Sequence, residues 1–153
     1  MNGYTIKWGT KFIASLLKLN PELKKAKKLK EKGNWREYKT FADKCLCDWL
    51  DPLINMAGVH FNVYGAKNIP QNEPVIYTPN HAGMFDIPAI ILNTPEPPIF
   101  IAKKELKSVP VLSDWMYVLD CVFVDRSNKN SARSSLHEAI EMVKKGRSIV
   151  IFP

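Results

Sequence analysis

The sequence predicts an α/β fold: a sheet with helices on both faces, preceded by an N-terminal two-helix segment. Three observations carry the prediction. Up to residue 58 the apolar residues recur at helical spacing, whereas from Val59 they alternate or fall in short runs. Those runs are interleaved with a helical pattern, as in a sheet covered on both faces. The basic charge is confined to the first part: residues 1–60 hold 12 Lys/Arg against 6 Asp/Glu, and residues 61–153 hold 10 against 9.

In chain order, residues 4–19 read as an amphipathic helix. Lys7, Lys11 and Lys18 fall on one stripe, with Trp8, Phe12, Ile13, Leu16 and Leu17 opposite. Pro21 breaks it. From Lys18 to Lys32, both included, there are seven Lys and two Glu, and the run ends at Gly33. An apolar face with Trp and Phe beside a lysine run fits an interfacial anchor on anionic lipid. It fits equally a helix packed on the domain with a solvated basic face. A second helix is expected from Trp35 to near Ala57. Trp35, Tyr38, Ala42, Cys45 and Trp49 recur at steps of three and four, the spacing of a core or helix–helix seam. Pro52 is expected to kink or end it. Residues 1–58 therefore read as an amphipathic two-helix membrane-binding segment and residues 59–153 as the α/β domain.

Val59, Phe61 and Val63 alternate with His60, Asn62 and Tyr64 as in a strand. Val75-Ile76-Tyr77, Ile99-Phe100-Ile101, Val122-Phe123-Val124 and Ser148 to Phe152 read as further short, buried strands. Asn130 to Lys145 form a helix with Ala132, Leu136, Ala139, Ile140 and Val143 inward, stopped by Gly146.

Composition narrows the function. A chain of 153 residues, 46% hydrophobic, suits one domain with a real core. The net charge of +7, placed N-terminally, points to an anionic surface, lipid or nucleic acid. Against nucleic acid stands the lack of a strand pattern of stacking aromatics or a recognition helix with base-reading side chains. The three cysteines, Cys45, Cys47 and Cys121, are odd in number and lack metal-type spacing, so they read as free thiols in a reducing compartment. The apolar run Phe12 to Leu17 is far shorter than the ~18 residues that span a bilayer, and Lys7, Lys11 and Lys18 interrupt any signal-peptide core. The expected location is peripheral, on the cytoplasmic face of a membrane.

The chemistry concentrates in Asn80-His81-Ala82-Gly83-Met84-Phe85-Asp86. A neutral imidazole accepts a proton near pH 7, and a carboxylate can orient it and stabilise the imidazolium. Residues five apart on one helix lie about 140° from each other. His81 and Asp86 can pair only if His81 sits in a loop and Asp86 in the first helical turn. His81 follows the Val75–Tyr77 strand, where open α/β sheets put ligand sites. Asn80 is expected to shape the loop through backbone hydrogen bonds. His60 and His137 lack partners at ligand spacing.

Asn80-His81-(four residues)-Asp86 resembles the first sequence block of the glycerolipid acyltransferases, the group that contains 1-acylglycerol-3-phosphate acyltransferase. Three further segments resemble that family's pattern in order. Ile101-Ala102-Lys103-Lys104-Glu105-Leu106 is similar to its Ala-Lys-Lys-Glu-Leu segment. Val122-Phe123-Val124-Asp125-Arg126 is similar to its second block, Phe-Ile-any-Arg. Ile151-Phe152-Pro153 is similar to the opening of its third, Phe-Pro-Glu-Gly-Thr-Arg. The chain departs from the pattern at Asp120, where the second block often starts with Gly, and it stops at Pro153, before the rest of the third block and the fourth. It therefore reads as a fragment of a longer enzyme, expected to be essentially inactive alone.

The resemblance implies acyl transfer from acyl-CoA or acyl-carrier protein to the free hydroxyl of 1-acylglycerol-3-phosphate, giving phosphatidate. His81 would be the general base and Asp86 the orienting carboxylate, as in a hydrolase triad whose serine is replaced by the substrate hydroxyl. There is no Gly-any-Ser-any-Gly elbow. Arg126 would bind the acceptor phosphate, for which a guanidinium fork is suited, although apart from the resemblance a surface salt bridge is the better account of an Arg there. Lys103 and Lys104 would add positive field or lie solvated at a helix start. No metal or redox cofactor is implied. The alternatives are another lysolipid or glycerol 3-phosphate as acceptor, or a non-catalytic basic fragment binding membrane or nucleic acid.

Overall fold

The computed structural model describes residues 3–125 and 127–152, with the backbone alone for residues 3–8. In chain order the elements are α1 (Gly3–Lys18), α2 (Asn20–Glu31), α3 (Trp35–Met56), β1 (Ile76–Tyr77), α4 (Asp86–Asn93), β2 (Ile99–Lys103), α5 (Leu112–Val118), β3 (Val122–Val124), α6 (Lys129–Lys144) and β4 (Ile149–Val150). Short 3₁₀ turns occupy Ala66–Asn68 and Lys104–Ser108.

The N-terminal segment has three helices where two were expected, because the lysine run is itself a helix. Pro21 sits in the first turn of α2, where a missing N–H costs no hydrogen bond, so it starts this helix as well as separating it from α1. Leu23, Ala26 and Leu29, three residues apart, are buried on one face. Glu22 near the start and Lys28 and Lys30 near the end complement the helix dipole. Gly33 then reverses the chain at φ +74. Asn34 caps α3: its side chain accepts from the Glu37 amide and donates to the Glu37 carboxylate at 2.9 Å. Pro52 does not end α3, which runs on to Met56.

Leu16, Leu23, Ala26, Leu29, Tyr38 and Ala42 form one core with Trp115 and Val118 of α5. The apolar face of α1 is divided. Leu16 is buried and the Phe12 ring lies 5.1 Å from Trp49, whereas Ile13 and Leu17 are 60% and 51% exposed. The side chains of Lys7 and Trp8 lie outside the described residues.

The four strands form one parallel sheet in the order β1-β4-β2-β3. Ile149 of β4 is in register with Ile76 on one side and Ile99 on the other. Period-two alternation sends Ile99, Val122 and Ile149 to the face covered by Ala139, Met142 and Val143 of α6. Phe100 and Val150 point to the opposite face, against Leu46, Leu50 and Ile91 of α3 and α4. Burial on both faces explains why β2 and β4 read as unbroken apolar runs; β1, expected to be buried, is an edge strand, and its Ile76 is exposed.

Two expectations are corrected. Residues 59–64 form no strand: alternation alone does not make one without a neighbouring backbone to pair with, and Val63 and Tyr64 are exposed. On α6 the inward face is Ser135, Ala139, Met142 and Val143, while Leu136 and Ile140 are exposed. The Ser135 hydroxyl donates to the Phe123 carbonyl at 2.8 Å, so a small polar residue faces the sheet in place of Leu136.

A buried ion pair joins α3 to the start of β4. The Arg147 guanidinium donates to Asp43 at 3.0 and 3.3 Å, with both residues buried. Lys39 also reaches Asp43, at 3.1 Å. Among the described residues no helix is long and apolar enough to cross a membrane.

Candidate active site

Because all four strands are parallel, their C-terminal ends meet along one edge of the sheet. Beyond β1 the chain runs through an irregular loop to Asp86, the first residue of α4. His81 is in that loop, so the two side chains approach from different elements. Asp86 Oδ2 accepts from the amides of Ala82 at 2.7 Å and Gly83 at 2.8 Å, and lies 2.7 Å from His81 Nδ1. The Gly83 amide above all, and then the His81 ring, hold the Asp86 carboxyl below the usual carboxylate range. An ionised Asp86 can only accept, which assigns the His81 proton to Nδ1 and leaves the Nε2 lone pair available. One face of the imidazole stacks on Phe152, with ring centroids 4.3 Å apart and planes 29° apart. The His81 side chain is 52% exposed.

The other sequence-predicted residues fall as follows. Asn80 is exposed, and among the described residues its side chain makes no hydrogen bond; the loop is held by Asp86. Lys103 ends β2, exposed, in register with Val124. Lys104 is committed to an ion pair with Asp125 Oδ2 at 2.6 Å. Asp125 Oδ1 accepts from the Ser127 amide at 3.0 Å and its hydroxyl at 2.6 Å. Lys104, followed by Ser127, brings the Asp125 carboxyl down to about 2. Arg126 lies outside the described residues. No three His, Cys, Asp or Glu side chains come together as a possible metal site among the described residues.

The family pattern described as Acyltransferase matches residues 60–153. The chain belongs to the acyltransferase family. It is 34% identical over 98 residues to a 1-acyl-sn-glycerol-3-phosphate acyltransferase of Borreliella burgdorferi, covering 64% of this chain and 39% of that protein. To the enzyme of the same name from Saccharomyces cerevisiae it is 36% identical over 101 residues, covering 64% of this chain and 32% of the relative. Its fold is similar to the crystal structure of the 1-acyl-sn-glycerophosphate acyltransferase PlsC of Thermotoga maritima, with a TM-score of 0.65 and 28% identity over 78% of this chain and 47% of that one. The chain thus spans less than half the length of each of these family members.

Three features of this edge were not read from the sequence. The Ala82 and Gly83 amides converge on Asp86 because a short loop turns into a helix whose first residue is the acceptor. Asp125 followed by Ser127 carries the signal of an Asp side chain bonding the backbone two residues on. Phe152 reaches His81 across 71 residues of sequence, and no local pattern announces that contact.

Proposed function

We propose that this chain carries the proton-transfer half of a glycerolipid acyltransferase that acylates 1-acylglycerol-3-phosphate with an acyl thioester, from acyl-CoA or acyl-carrier protein, to give phosphatidate. The observation that carries the reading is the single Asp86 oxygen gathering two backbone amides and His81 Nδ1, which leaves Nε2 as the free base. The names of the similar proteins support the choice of acceptor.

In this reading Nε2 takes the proton of the acceptor hydroxyl as its oxygen attacks the thioester carbonyl. Asp86 keeps the tautomer and stabilises the imidazolium, and the departing thiolate recovers the proton. No protein nucleophile is required. Arg126 binds the acceptor phosphate as a bidentate cation. Lys104, neutralised by Asp125, acts on that loop more than on the phosphate, whereas Lys103 remains without an ion pair among the described residues.

The membrane is the proposed source of the lipid substrate. Ile13 and Leu17 project from α1 beside Val109–Leu112, and together with Phe12 and Leu16 they line an apolar hollow of about 300 Å³. Of the exposed lysines, Lys11 and Lys18 lie on α1, and Lys24 and Lys28 on the following helix α2. An apolar surface with lysines nearby fits peripheral attachment to an anionic leaflet. Free cysteines, read as reduced thiols, support the cytoplasmic side for that leaflet.

The test is thioester-dependent acylation of lysophosphatidate by the full-length protein, with glycerol 3-phosphate and other lysolipids as competing acceptors. Phosphatidate formation that disappears in H81A supports the reading. Preference for another acceptor would move the assignment to that substrate, and activity untouched by H81A would remove it.

A further inference from the structure

We infer that Phe152 is a positioning residue for His81, holding the imidazole face and stabilising its protonated form. The inference rests on His81 being the general base. His81 is half exposed, and its hydrogen bond to Asp86, the one its side chain makes among the described residues, fixes Nδ1 but leaves the ring free to rock about that bond. A second restraint is needed to aim Nε2, and the Phe152 ring supplies it at 4.3 Å and 29°.

Phe152 is itself well held. The Ile151 amide donates to the Tyr77 carbonyl at 3.0 Å, extending the β1–β4 pairing up to the residue before it. Its ring lies nearly parallel to Phe100, at 6.4 Å and 20°, on the core packed beneath the sheet. The restraint on His81 is therefore anchored just beyond β4, an inner strand of the sheet, through the Ile151–Tyr77 hydrogen bond and the Phe100 ring.

The contact has an electrostatic consequence as well. When Nε2 takes the hydroxyl proton, the ring becomes a cation lying on the negative face of a benzene ring. That attraction is far weaker for the neutral imidazole, so it favours the transition state over the ground state and raises kcat without tightening substrate binding.

The experiment compares F152L, F152M and F152Y in the full-length protein, with H81A alongside. Leu and Met keep an apolar side chain but remove the aromatic face, and Tyr retains it. The expected result is a kcat about three- to tenfold lower in F152L and F152M, with KM for donor and acceptor within about twofold of the parent and F152Y close to it. The His81 ring protons should also show an upfield ring-current displacement by NMR in the parent and F152Y, absent in F152L and F152M. Parent-like kcat in the aliphatic variants, an equal fall in F152Y, or a loss confined to KM overturns the inference. Should neither aliphatic variant fold, the absence of the ring-current displacement in the parent overturns it. H81A retaining turnover removes the base assignment and this inference together; H81A inactive with F152L fully active removes this inference alone.

Discussion

At His81 the chemistry depends on which nitrogen carries the proton, and one oxygen of Asp86 decides that. On the proposed reading, replacing His81 by Ala removes the base, and turnover should fall by about 10²–10⁴-fold with donor affinity little changed, as read by steady-state kinetics. Asp125 offers a test by pH. Its carboxyl is depressed to about 2, so the pair with Lys104 contributes stability that is complete above the unfolded value near 4. That contribution is lost as pH falls from about 4 toward 2, because the unfolded chain binds the proton first. Urea midpoints measured across this range should fall less steeply for D125N than for the parent chain. Both Asp residues were quoted from the sequence, but only Asp86 was given a role there. Spacing pointed to a partner for His81, whereas the partner of Asp125 is 21 residues away on another strand end.

Between elements, two polar contacts do work that apolar packing does not. Asp120 stands at φ +60, a conformation that costs ordinary residues about 1–2 kcal/mol, just before β3. The family resemblance has Gly at this position, and the backbone shows why. Asp is accommodated here because its carboxylate accepts from Tyr38 and pairs with Lys30 at 2.9 Å. Burial, reinforced by Asp120, raises the Tyr38 phenol well above its ordinary range, so it remains a donor. D120G and D120A both lose these contacts, but only Gly tolerates the backbone; D120A should be the less stable by about 1 kcal/mol in chemical denaturation. The Arg147–Asp43 pair ties α3 to β4. D43A leaves a buried guanidinium short of its carboxylate and should cost about 3–5 kcal/mol by the same measurement. A loss within 1 kcal/mol, as for an exposed pair, would mean that Arg147 is solvated there.

For the molecule as a whole, the N-terminal helices combine a packing role with the proposed membrane contact. They cannot be removed as an independent tail, since Leu16, Leu23, Ala26 and Leu29 share a core with α5. The informative variant is therefore I13E/L17E, which alters the exposed half of the α1 apolar face and leaves Leu16 in place. Its sedimentation with anionic vesicles should fall sharply while its thermal unfolding stays near the parent's. Binding by the parent should weaken with salt, as charges are screened over ~10 Å at 0.1 M. Vesicle binding equal to the parent's would show that α1 is a packing element only.

By itself, the sequence determined the fold class, the places along the chain of the four strands that form, and the opposition of His81 and Asp86. Each is a local matter of period, apolar run or short spacing, and local rules apply. Its misreadings lay where the outcome depends on a partner far along the chain. Residues 59–64 have a strand's alternation but no strand beside them; the lysine run became a helix because α3 and α5 offered a surface for Leu23, Ala26 and Leu29; and α6 turned Ser135 inward because the Phe123 carbonyl needed a donor. The site divides in the same way. His81 and Asp86 lie five residues apart and their contact was legible, whereas the aromatic face beneath the imidazole comes from just beyond β4, and only the parallel sheet brings it there.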